Sequence, residues 1–328
     1  MRKRSEKVLS PVTSQRKILY VLGMVNVLII IILSFLSPTF TTYGNLTAVL
    51  SRMSELSMLA IAETIVLISG GFDLSIGSIM ALSGALCGKL YVMGIPFHIV
   101  LILALLSGVA VGGLNAFLVV SLNLQPFIVT LATMSIVRSI VYGILKGIVL
   151  ADFPEKFLDL GYVYVFKIPL LFLIVVGTAV VIIILLKKTV IGRYIFAMGA
   201  NERTAYLSGI FVNRIKFFVY CLSGLICAIA GLLFTIRIRA IIPDAGINAP
   251  LEVITAVLIG GTAITGGKGS VLGSLLGILA MYLLLNGFNL LGLNPFWNII
   301  ILGIILIYVV GQENILKSLR QRRLIQSR

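Results

Sequence analysis

Three sets of residues in this 328-residue chain have types from which a site could be built. The first, GGTAITGGKGS at 260–270, has the glycines and lysine of a phosphate-cradling loop. Such a loop needs Gly, four residues, then Gly-Lys followed by Ser or Thr, so that amides hold the phosphate and the hydroxyl reaches magnesium. Here Gly269 follows Lys268, and Thr262 stands where the first glycine belongs, so the match fails twice. His98 is the single histidine, and Cys87, Cys221 and Cys227 sit among apolar residues without ligand spacing. That leaves no ligand set for a metal and no nucleophile with a base beside it. No catalytic residue, metal ligand or cofactor is assigned.

The second set is SGGFDLSIGSIMALSG at 69–84. Gly70 and Gly71 let the chain break between two helices. Asp73 or Ser75 is then expected to cap the next one, where a carboxylate also meets the positive end of the helix dipole. Gly77, Ser78, Ala81 and Gly84 make a small-residue face that admits a neighbouring helix closely.

The third set is scattered. Glu63 and Arg138 fall deepest within apolar runs, where a charge costs at least ~2.5–3.5 kcal/mol on insertion scales. They are expected either to pair or to line an aqueous path. Asn115, Asn123, Gln125, Thr130, Thr133, Asn286 and Asn289 are candidates to line the same path, or to bond helix to helix. Lys89 and Glu252 lie near the ends of apolar runs and are expected to snorkel.

The elements that must position these residues follow from composition. The chain is 59% hydrophobic and 11% charged with a mean hydropathy of +1.15, against roughly half and a quarter in soluble domains. Lipid is the solvent. A span takes roughly 20 apolar residues. Apolar runs at 18–36, 54–69, 75–93, 97–120, 127–145, 168–186, 215–236, 251–265, 270–291 and 296–311 predict an all-α polytopic membrane protein of about ten helices. The expected organisation is a basic N-terminal tail (1–17), one transmembrane domain (18–311) and a basic C-terminal tail (312–328).

The net charge of +15 does not mark a nucleic-acid reader, because the basic residues sit at the ends of apolar runs and not on a water-exposed face. Lys and Arg in short loops mark the cytoplasmic side. Arg2, Lys3, Arg4, Lys7, Arg16 and Lys17, the loop at 187–214 and the C-terminal tail therefore all belong there, which requires an even number of spans. Nine or eleven spans would put a basic segment outside. No small-residue cleavage site precedes Pro38, so the first run is expected to be kept as a span. The charge-balanced loop at 146–167 is expected on the periplasmic face. Within 187–214, Asn201 should cap a short helix starting at Glu202, and Gly209 should stop it. LISGG at 67–71 also resembles LIGG at 258–261, and Gln125-Pro126-Phe127 resembles Asn294-Pro295-Phe296, a hint of the internal duplication that transporters often carry.

Five blocks, GGFDLSIGSIMALSG (70–84), QPFIVTLATMSIVRSI (125–140), GRYIFAMGANERTAYLSGI (192–210), EVITAVLIGGTAITGGKGSVLGSLLG (252–277) and NGFNLLGLNPFW (286–297), resemble in order the ribose/xylose/arabinose-type sugar permeases of bacterial ABC importers. The resemblance implies two copies, or two related permeases, packed around a central path in the inner membrane. It implies two cytoplasmic ATP-binding subunits, which alone bind ATP, a periplasmic sugar-binding protein, and alternating access. Gly199, Asn201, Glu202, Ala205, Leu207 and Gly209 match the segment that couples to the ATPase. Asp73, Leu74 and Ser75 match the family's Gly-Gly-Ile-Asp-Leu-Ser block, with Phe72 where Ile is usual. Phe127 joins the path candidates. The cargo so implied is a monosaccharide or related furanose or pyranose. Rival readings are a branched-chain amino-acid permease, which needs groups for a carboxylate and an ammonium, and an ion-driven transporter coupled through Glu63 and Arg138. A membrane enzyme is disfavoured for want of a catalytic constellation.

Overall fold

A computed structural model describes residues 11–293 together with 300, 303 and 304. Apart from those three positions, the expected span at 296–311 lies outside the described residues, as do Asn294-Pro295-Phe296, residues 1–10 of the N-terminal tail and the whole C-terminal tail at 312–328. In chain order the helices are α1 (Pro11–Leu36), α2 (Tyr43–Ile68), α3 (Ile76–Val92), α4 (Phe97–Ser121), α5 (Pro126–Leu145), α6 (Glu155–Leu158), α7 (Leu170–Lys188), α8 (Val190–Ala200), α9 (Glu202–Leu207), α10 (Val212–Ile238), α11 (Ala249–Ile259) and α12 (Val271–Leu290). A two-residue hairpin, Tyr164–Val165 with Ile168–Pro169, precedes α7.

Six of these helices, α1, α4, α5, α7, α10 and α12, are long and apolar enough to cross a bilayer. The other apolar runs differ from expectation for identifiable reasons. α2 has 26 residues but carries Arg52, Glu55 and Glu63. α3 has 17 and α11 only 11, well short of the expected 251–265. Both start inside the bundle. Ser78 Oγ donates to the Met134 carbonyl, midway along α5 (2.9 Å). A Cβ on Gly77 would strike the Gly246 carbonyl oxygen and lie 3.4 Å from Pro250 Cδ. The two helix N-termini therefore meet at mid-depth. The irregular backbone at 239–248 is tolerated at that depth because Arg138 bonds the carbonyls of Pro243 and Ala245 and Gly246 packs on Gly77, which supplies protein partners for its polar groups.

α2 and α10 form the centre. Every residue of α2 from Met53 to Ile68 is buried. α10 meets α4 backbone to backbone, with Gly224 against the Gly108 carbonyl and Gly112 against that of Tyr220, the close approach that small residues permit in lipid. α1 and α4 turn apolar side chains outward, for example Tyr20, Met24, Phe35, Ile102 and Leu106.

Contacts sort the loops to two ends. At one, Gln15 bonds the Gly269 carbonyl (3.1 Å) and the Gly267 amide bonds that of Ile68 (2.9 Å). At the other, Tyr43 bonds the Lys167 carbonyl (3.1 Å), Arg239 meets Asp159 (3.2 Å) and Leu150 bridges to Ile241.

Candidate translocation and coupling sites

The segment expected to couple is built locally. Asn201 has extended backbone and its side chain accepts from the Thr204 amide (2.8 Å), which starts α9 where the sequence predicts. Gly209, at φ +83°, lies just beyond its end. Ala205 is buried against Met198 and Val212, so α9 is pinned by its inner face. Its outer face leaves Tyr206, Leu207 and Phe211 about 70% exposed beside a groove lined by Glu202, Arg203 and Asn213. Glu202 is held by Lys216 (2.6 Å). α8, which the sequence reading did not anticipate, extends α7 by an amphipathic turn-off capped by Thr189.

Gly199, in the last turn of α8, is wedged among three backbones. A Cβ there would collide with the Ile68 carbonyl and lie 2.6 Å from the Gly267 nitrogen, while Gly70 and Gly266 pack on its other side. The glycine turns that end α2 and α11 are built alike. After α2, the amides of Gly70 and Gly71 bond the carbonyls of Leu67 (2.9 Å) and Val66 (3.0 Å). After α11, those of Gly261 and Thr262 bond Leu258 (2.9 Å) and Val257 (3.2 Å). Gly70 and Gly261 both sit at φ +82°, the left-handed position at which glycine stops a helix without strain.

Beyond the first turn the chain folds back into the bundle. Neither Asp73 nor Ser75 makes the expected capping bond to the first turn of α3. Asp73 Oδ1 instead accepts from the Ser75 amide (2.8 Å) and hydroxyl (2.6 Å). Asn115 Nδ2 donates to that same hydroxyl (2.9 Å), tying α4 to the break. The Asp73 amide reaches Glu63 Oε1 (3.4 Å), because the returning strand lies alongside α2. Leu74 packs on Ile254 and Leu258 of α11.

The two deep charges do not pair. Glu63 is fully buried beside Asp73, whereas Arg138 Nη1 donates to the carbonyls of Pro243 and Ala245 (2.7 Å each), a loop roughly a hundred residues on. Arg138 is the better solvated, lining a cavity of about 310 Å³ with Ser78, Met134, Ser135, Gly246, Ile247 and Pro250. Asn286 and Asn289 line another of about 290 Å³ with Arg52, Arg237 and Tyr282. Asn286 also exchanges bonds with Asn45 (2.8 and 3.0 Å). The remaining path candidates stand apart from these cavities. Thr130 bonds its own helix at Pro126 (2.8 Å), Thr133 is buried, Gln125 is exposed, and Phe127 packs on Phe72 at 5.7 Å.

Sequence reasoning missed the residues between these cavities. A third, of about 220 Å³, is lined by Glu55, Met80, Phe234, Asp244, Asn248 and Glu252 and shares Gly246 and Ile247 with the Arg138 cavity. Glu55 is held by Arg237 through two nitrogens, Nε at 3.1 Å and Nη2. Asp244 takes the Tyr142 hydroxyl. The signal available was PDAGINAP at 243–250, a Pro, Gly and Asx cluster bearing a charge between two apolar runs.

Residues 45–310 match the family model described as branched-chain amino acid transport system / permease component. A ribose import permease of Haemophilus influenzae is 36% identical over 294 residues, 88% of this chain and 91% of that one. A fructose import permease of Rhizobium meliloti is 33% identical, covering 87% and 82%. A D-allose transport permease of Escherichia coli is 32% identical, covering 89% and 90%. No solved structure matches the chain.

Proposed function

Since the chain belongs to the permease-component family of branched-chain amino acid transport systems, we propose that it is the membrane-spanning subunit of an ATP-driven importer whose cargo is a monosaccharide. The observation that carries the reading is the run of sugar permeases among its relatives over nearly the whole chain. The family's description names amino acids; the relatives that align end to end favour sugars.

About ten spans complete the architecture. α2, α3 and α11 add to the six long helices, with a last one at 296–311, and both termini lie in the cytoplasm of the bacterial inner membrane. The charge bias supports this sidedness, and it puts α9 on the cytoplasmic face with Tyr206, Leu207 and Phe211 free to seat in a partner. Two ATP-binding subunits dock there and supply all nucleotide chemistry; the chain itself uses no cofactor and is not an enzyme. A second permease, identical or related, completes the path, and a periplasmic sugar-binding protein loads it. Transport is by alternating access, Gly199 to Gly209 transmitting the motion and the Gly70 to Ser78 break and Arg138 forming part of the moving path.

Uptake of labelled ribose and labelled leucine by membranes holding the assembled importer, with ATP supplied and the proton gradient collapsed, tests the reading. Ribose uptake that needs ATP is expected. Leucine uptake alone, or uptake that disappears with the gradient, would overturn it.

A further inference from the structure

The lining of the Glu55 cavity is part apolar and part polar. Leu56 of α2, Met80 of α3 and Phe234 of α10 supply apolar surface; Glu55, Asp244, Asn248 and Glu252 supply polar groups. Two of these polar groups are already engaged, Glu55 by Arg237 and Asp244 by Tyr142. The side chains of Asn248 and Glu252 both line the cavity and make no hydrogen bond among the described residues, Asn248 exposed at its mouth and Glu252 half-buried. A carboxylate only accepts, and an amide both donates and accepts. The free capacity therefore suits a solute that brings several hydroxyls and one C–H face to lie on Phe234.

Charge narrows the class further. A zwitterionic amino acid would need a cation for its carboxylate. Among the described residues no Lys or Arg lines this cavity: Arg237 is paired with Glu55, and Arg138, which keeps Nε and Nη2 free, lines the adjoining one. A negatively charged solute would also meet the carboxylates of Glu252 and Asp244. At about 220 Å³ the space lies below the usual ligand-pocket range, so it holds one small ring and no chain of them.

We propose that this cavity is the solute subsite of the permease, taking an uncharged polyol of monosaccharide size, with Glu252 and Asn248 as its specificity-determining residues. The assignment rests on the importer reading above. It adds that the permease selects cargo itself, at the point where the N-termini of α3 and α11 meet.

The test is uptake by the complete importer in proteoliposomes with labelled ribose, competed by fructose, allose and leucine. Wild type is compared with Glu252→Gln, Asn248→Ala and the milder Glu252→Asp. Co-purification of the ATP-binding subunit reports whether each variant assembles. Replacing the carboxylate by an amide, whose oxygen still accepts but without the charge, should lower apparent affinity about fivefold or more. The expected result is that loss in Glu252→Gln, partial rescue in Glu252→Asp, and an altered order of sugar competition in Asn248→Ala. Assembled variants whose affinity and competition order stay within twofold of wild type would overturn the subsite while leaving the importer reading intact. Wild type that moves leucine and no sugar would overturn both.

Discussion

Breaking the Glu55–Arg237 pair from either side should cost unequal amounts. Arg237 grips Glu55 with two nitrogens, and the side chains are unequally buried, 6% exposed for Glu55 against 21% for Arg237. Deleting one partner of a buried pair costs about 3–5 kcal/mol, because the other charge remains in a poor solvent. In Arg237→Met the stranded group is the nearly sealed carboxylate, which puts the cost at the upper end, about 4–5 kcal/mol. In Glu55→Leu the stranded guanidinium still reaches the Asn286 cavity and lies 5.6 Å from the Phe234 ring, so the cost falls to about 3 kcal/mol or less. The double variant removes both charges from the bundle and should be neutral, or stabilising by about 1–4 kcal/mol. Heat-denaturation midpoints of the full chain in one detergent give the order. The double variant should be at least as stable as wild type, then Glu55→Leu, then Arg237→Met. A Glu55→Leu protein less stable than Arg237→Met, or an Arg237→Met protein as stable as wild type, would refute the reasoning.

Gly199→Ala should overpack the joint between α8, the Ile68 carbonyl and Gly267 at about 1–3 kcal/mol, read as a lower denaturation midpoint with reduced ATP-driven uptake. Ala205→Asp should force a charge into the Met198–Val212 cluster, displace α9 and abolish retention of the ATP-binding subunit in mild detergent; retention at the wild-type level would contradict the pinning of α9. Ser75→Ala removes the hydroxyl that both donates to Asp73 and accepts from Asn115, leaving buried polar atoms unpaired at about 1–3 kcal/mol. The isosteric Ser75→Cys should recover little of that.

What could be read from the sequence was whatever is decided within a few residues. The Asn201 cap and the Gly209 stop are local chemistry, and α9 occupies the expected positions. The likeness of LISGG to LIGG is likewise local, and it corresponds to two turns with the same hydrogen bonds. The depth at which a helix begins is not local. α11 starts inside the bundle because Gly77 and Gly246 touch across 169 positions of sequence, so Glu252, placed near a run's end, looked like a snorkelling side chain when that end is interior. The partners of Arg138 are carbonyls, which no residue type announces, and they come from a loop 105 and 107 positions away. Asp73 reads as a cap, yet the returning segment carries it back to Glu63 and leaves the first turn of α3 without a side-chain cap.

The glycine joint at Gly199 has a mechanical corollary. Backbone in contact with backbone has no side chain to absorb a displacement, so the end of α2 is expected to follow the end of α8. From Ile68 to Glu55 is 13 residues of unbroken helix, a rod of about 20 Å. Rocking it by about 10° on that fulcrum swings the far carboxylate by about 3 Å, one hydrogen-bond length. On the coupling proposed above, a small push on one face of the membrane would be amplified into the making or breaking of a polar contact near the other.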